Sequence, residues 1–234
     1  MKLLYKFLST AALILLVTGT LFASTEDRHL SGFNAIQLSA SYDVYITQGP
    51  TESVRVEASA DLIDKIVTEV QGGVLKIYSK SDHGWGGSWM GNKKMTVYVT
   101  AKEMSAIGIS GSGDVYFKGG LSGNTLKIKV SGSGDVTGKL NVKMLEVGVS
   151  GSGDIKLAGR ADNAAVSVTG SGDYSARDLV TISTAVRVTG SGDATVNAST
   201  KIDAVVSGSG DIRYAGGAKQ VSTATHGSGD ITRM

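Results

Sequence analysis

Seven aspartates close the same four-residue string. Gly-Ser-Gly-Asp ends at Asp114, Asp135, Asp154, Asp173, Asp193, Asp211 and Asp230, at intervals of 21, 19, 19, 20, 18 and 19 residues. Carboxylates repeated in this way have three chemical uses. Each can accept hydrogen bonds from backbone N–H groups of its own turn, a common role for Asp. Together they can hold a hard divalent cation such as calcium, which favours clustered carboxylate oxygens. Pairs about 5–5.5 Å apart can also run retaining glycoside hydrolysis. An active site, however, is a local exception to a repeat, and here the acid recurs in every unit. The pattern therefore argues against an enzyme. Stacked about 4.8 Å apart, neighbouring carboxylates would repel by about 1 kcal/mol in water, so N–H donors or a cation must offset the column.

The second candidate is the run Asp82 to Asn92, which holds both tryptophans, Trp85 and Trp89, among glycines. Indole rings in such a setting can stack on sugar rings or insert into a partner, or they can fold back on the body of the protein. His29, His83 and His226 are scattered, with no metal-site or triad spacing.

The elements that must carry these residues follow from the register around each motif. Seven positions before each Asp stand Ile107, Ile128, Val147, Val166, Val186, Ala204 and Thr223, and five before stand Ile109, Val130, Val149, Val168, Val188, Val206 and Thr225. One position after stand Val115, Val136, Ile155, Tyr174, Ala194, Ile212 and Ile231. Apolar residues at every second place predict strands with one buried face. The Gly-Ser-Gly-Asp between them predicts a corner. A period near 19 is too short for a four-stranded propeller blade, and the leucine-rich framework is absent. The expected fold is all-β: a single-stranded parallel β-helix (β-solenoid) with about 19 residues per coil. No coil can bury its apolar face alone, so stability must come from stacking.

Residues 1–23 read as a signal peptide, with Lys2 and Lys6 ahead of an apolar stretch and cleavage expected after Ala23. Without them 21 basic residues face 21 acidic ones, which does not support nucleic-acid binding. No transmembrane segment is expected after cleavage. The chain has no cysteine, hence no disulfide and no thiolate metal site. Residues 24–30 are expected to be a linker and 31–234 one β-helix domain, with degenerate coils over 31–100 and Gly-Ser-Gly-Asp coils over 101–234.

Within 31–100, Leu38-Ser-Ala-Ser-Tyr-Asp-Val44 aligns with Ile109-Ser-Gly-Ser-Gly-Asp-Val115 and reads as a first coil. Val54, Val56 and Ala58, then Leu75 and Ile77, then Val97 and Val99, predict further strands. Ser59 to Val67 predicts a short helix capped by Ser59 or Asp61, placed to cover the first coil. The run from Ser31 to Gly49, with Val54 to Ile66 and Gly73 to Tyr78, resembles the opening of the head GIN domain family of auto-transporter adhesins. The resemblance extends over about residues 31–234. It implies a right-handed β-helix in an exported protein, with no catalytic residues to carry over.

The sequence therefore predicts an exported, non-catalytic binding or adhesion module of the bacterial cell envelope, in the periplasm, at the outer-membrane surface or outside the cell. Trp85 and Trp89 are its candidate ligand-binding residues. The seven aspartates are its candidate metal ligands, for calcium, with no other cofactor. The expected partners are a cell-surface glycan or an envelope protein. No cap is visible after Asp230, which predicts a frayed end or end-to-end self-association. A carbohydrate-active β-helix enzyme and a structural self-associating envelope protein are the alternatives.

Overall fold

The computed structural model describes residues 23–80 and 94–234. Strand β1 (Ala23–Asp27) precedes the first coil, which is made by β2 (Ala35–Ser39) and β3 (Asp43–Gln48). β4 (Ser53–Ser59), a single 3-10 turn at Ile63–Lys65, β5 (Ile66–Gln71), β6 (Val74–Ser79) and β7 (Thr96–Ala101) follow. The regular coils are then wound by β8 (Ala106–Gly111), β9 (Val115–Lys118), β10 (Leu121–Gly132), β11 (Val136–Gly151), β12 (Ile155–Gly170), β13 (Tyr174–Gly190), β14 (Ala194–Gly208), β15 (Ile212–Ala215), β16 (Gln220–Gly227) and β17 (Ile231–Arg233).

The fold is a parallel β-solenoid of about seven turns, about 19 residues apart. Each long strand runs from one Gly-Ser-Gly-Asp corner to the next and bends on the way. In β12 the inward side chains are Ile155 and Leu157, then Ala161, then Ala164, Val166 and Val168. The alternation shifts between Ala161 and Ala164, and Gly159 has φ 108°. These breaks divide a coil into three walls. The first leads into the aspartate corner, the second leaves it, and the third closes the coil. Ile128, Val147, Val166, Val186 and Ala204 stack in one register line of the first wall, and all are buried. The interior is filled from Leu38 to Ile212, both fully sealed.

The alignment of residues 38–44 with 109–115 is realised as pairing. Leu38 lies beside Ile109 and Val44 beside Val115. The chain does not, however, add its layers in order. β6 and β7 lie on the far side of the first coil, pairing in parallel with β2 and β3. Beyond them β4 runs antiparallel to β7, β1 antiparallel to β4, and β5 antiparallel to β6.

Two expectations are corrected here. Residues 24–30 are not simply a linker, since Ser24 to Asp27 pair with Ala58 to Arg55 along β4. The helix expected over Ser59 to Val67 is only the 3-10 turn, and Val67 already pairs with Tyr78 in the β5–β6 hairpin. β-Branched Ile66 and Val67 suit a strand, and a free backbone edge on β6 is there to receive them. Strands, rather than a helix, border this end.

At the other end β16 pairs with β14, but its inward positions hold Thr223 and Thr225, and every residue of the strand is exposed.

Candidate binding surfaces

The aspartate corner is built by two glycines with different duties. The first of each motif has positive φ, from 117° at Gly170 to 152° at Gly111, which an L side chain resists. The second is excluded by space instead. A Cβ on Gly153 would sit 2.2 Å from the carbonyl oxygen of Gly134 in the coil before it. Corners therefore stack backbone on backbone. Ser152 and Gly153 N–H both donate to the Gly132 carbonyl, at 2.9 and 3.1 Å.

The aspartates form a ladder on this stack. Asp114 Oδ1 accepts the backbone N–H of Asp135 at 2.9 Å, and each later Asp does the same for the next, to Asp230 N–H on Asp211 Oδ1 at 2.9 Å. The backbone role expected of the column holds, but the donor belongs to the following coil rather than to the same turn. Each side chain thus ties two coils together. The outer oxygens have partners too: Arg213 reaches Asp193 Oδ2 at 3.2 Å and Asp211 Oδ2 at 3.0 Å, and Tyr116 Oη donates to Asp114 Oδ2 at 3.1 Å. Among the described residues no three His, Asp or Glu side chains converge to hold a metal ion. One inward oxygen of each acid from Asp114 to Asp211 is committed to an N–H of the following coil.

The candidate ligand residues Trp85 and Trp89 lie outside the described residues. Their flanks are placed: Tyr42 Oη meets Ser79 Oγ at 2.5 Å, and Met95 accepts the Asp43 N–H at 3.1 Å. Tyr42 is buried and occupies the position that is glycine in the coils above.

A second column, outside the repeated motif, stands on the outer face of the second wall. Tyr98, Tyr45, Tyr116, Thr137, Lys156, Ser175, Thr195, Arg213 and Thr232 follow one another in register across nine layers. The three tyrosines stack, with ring centroids 5.6 Å apart for Tyr45–Tyr98 and 5.0 Å for Tyr45–Tyr116. Arg55 caps Tyr98 at 4.9 Å and Lys118 sits over Tyr45 at 4.5 Å. Burial against the wall, with the Asp114 carboxylate beside it, pushes the Tyr116 hydroxyl up to about 12. Burial first, and then the Glu57 carboxylate, raises Tyr98 as well. Tyr45 and Tyr116 each stand two places after an aligned aspartate, so extending the alignment by two residues would have found them. Tyr98 has no motif beside it to mark it.

The column borders a groove of about 860 Å³ on the same wall, lined by Tyr116, Lys118, Lys139, Lys156 and Arg177 among others. Its only acidic lining residue is Asp178. None of the four cations makes an ion pair among the described residues, whereas elsewhere Lys127 pairs with Glu146 at 2.5 Å.

With this geometry in view, the comparisons decide the family. The family model described as "Putative auto-transporter adhesin, head GIN domain" matches residues 32–218. The chain belongs to this family. Solved structures share the head GIN domain fold. A protein of Bacteroides fragilis NCTC 9343 described as a putative adhesin is 29% identical, with 91% of this chain and 97% of that one covered and a TM-score of 0.85. A Parabacteroides distasonis ATCC 8503 protein described as a putative lipid binding protein is 28% identical, with 91% and 96% covered and a TM-score of 0.74. A putative adhesin of Parabacteroides merdae ATCC 43184, at 24% identity and TM-score 0.71 over 91% and 96%, shows the fold alone. No curated protein matches. In the described residues no helix is long and apolar enough to cross a membrane.

Proposed function

We propose that this head GIN domain protein is an exported, non-catalytic binding module of the bacterial envelope that meets its ligand with the second wall. One observation carries the reading: the frame repeats from coil to coil, while the outside of this wall holds three stacked tyrosines and a groove edged by unpaired cations. The adhesin descriptions of the relatives support it, as does the signal-like start at residues 1–23. Trp85 and Trp89 remain the candidate ligand residues that the sequence offers for this binding role. Lipid binding, the description given to the Parabacteroides distasonis relative, is less well supported here. Phe117 and Leu157 lie buried beneath the groove, and the coil interior is packed with side chains rather than hollow.

The test is an array of glycans and envelope components, run beside an assay for newly released reducing ends. Retention without release is the expected result, weakened when Tyr45, Tyr98 and Tyr116 are replaced by alanine. Release of reducing ends would move the protein to the carbohydrate-active enzymes. Concentration-dependent assembly with no retention would make it a structural self-associating protein.

A further inference from the structure

We infer that the groove of the second wall binds a linear anionic glycan, a chain carrying about one carboxylate per sugar, laid along the solenoid axis. The inference deepens the binding role proposed above and rests on it.

Four consecutive coils each contribute one cation: Lys118 at the end of β9, Lys139 in β11 and Arg177 in β13, each four places after its aspartate, and Lys156 in β12, two places after. Successive coils are about 4.8 Å apart, the inter-strand spacing, which is close to the length of one sugar ring. A polyanion with one charge per ring can therefore stay in step with the coils. Like charges at that distance repel by about 1 kcal/mol in water, and no acid of the described chain pairs with these four. Elsewhere among the described residues some cations are matched by acids, while Lys129 and Arg187 on the first wall are not. Lys127 is matched by Glu146 on the first wall, Arg160 by Asp162 near the third, and Arg213 by Asp193 and Asp211 at the corner. Four cations around one groove with a single acidic side chain in its lining complement an anionic ligand. The groove is also long and shallow, and Tyr116 at one end offers a ring edge and a hydroxyl, which suits an extended polar chain better than a compact headgroup.

The experiment titrates the protein with polygalacturonate oligosaccharides, neutral dextran, polyglutamate and phosphatidylglycerol vesicles at low and physiological salt. Binding of polygalacturonate above all others, weakening as salt rises, is expected. The double variant Lys118→Glu/Lys156→Glu should weaken it at least tenfold with an unchanged melting temperature, while Lys129→Glu on the first wall leaves it intact. Equal binding of polyglutamate would overturn the glycan assignment, and binding of vesicles alone would move the site to lipid surfaces. Retention of neutral glycans through the tyrosines, insensitive to the charge reversals, would sink this inference and leave the binding module standing. Absence of binding to every probe here and on the array would remove both.

Discussion

The aspartate corner and the second wall are made by the same chain at the same repeat, yet they obey opposite rules. At the corner each residue meets the same motif in the next coil. Gly151 lies beside Gly132, Ser152 donates to Gly132, and Asp154 accepts from Asp173. Any change there is felt by two backbones at once. On the outside of the wall the neighbours are Tyr116, Thr137, Lys156 and Ser175, a phenol, an ammonium and two hydroxyls in successive layers. A side chain there answers to solvent and to whatever docks. Identity is confined to the places where coils touch, and variety is released where they do not.

Substitutions can break or sharpen that contrast. The largest effect is expected at the corner glycines. Gly153→Ala would drive a Cβ to 2.2 Å from a backbone oxygen that cannot move without shifting its coil, and urea unfolding should show a loss above about 4 kcal/mol or no cooperative fold. Asp154→Ala should cost about 0.5–1.5 kcal/mol by removing the acceptor of the solvent-accessible Asp173 N–H, and Asp154→Asn, which keeps the acceptor, should cost less.

The tyrosine column, between corner and wall, should respond to alkali. Tyr116 in the folded protein ionises near 12 rather than the ordinary 10. The unfolded chain therefore releases this proton first, and stability should be intact below about pH 10 and fall as pH rises towards 12. Tyrosinate absorbance should show a late-titrating hydroxyl, and Asp114→Asn should advance it. On the wall, Lys156→Glu should shift stability by less than about 0.5 kcal/mol. Smallest of all, millimolar calcium added after chelator treatment should leave the melting temperature unchanged, and a clear rise would mean that the aspartate ladder opens to admit a cation.

Most of the solenoid was legible because its signal is local and repeated. Ile107, Ile109 and Val115 could be placed inside from their distance to Asp114 alone, and the pairing of Leu38 with Ile109 was visible as a sequence match. The positive φ of the first glycine was foreseeable from the turn. The constraint on the second was not, because it comes from a neighbouring coil. The aspartate's donor escaped for the same reason. The placement of β6 and β7 under the first coil was illegible, since alternation in Leu75 and Ile77 marks a strand but says nothing of its neighbours. Of the candidate site, the tryptophans were picked out by composition, whereas the tyrosines needed the register and the cations needed the third dimension.

The pairing of Phe117 with Gly138 has a consequence for assembly. The phenyl ring fills the space that a side chain at Gly138 would need, a Cβ there falling 2.3 Å from the ring. Corners that are alike cannot tell one neighbour from another, so a coil that docked one repeat too far along would satisfy its glycines and its aspartate equally well. Only misfits of volume can report the error. A protrusion that finds its hollow in one adjacent layer alone acts as a key, letting a monotonous polymer count its own turns while it folds.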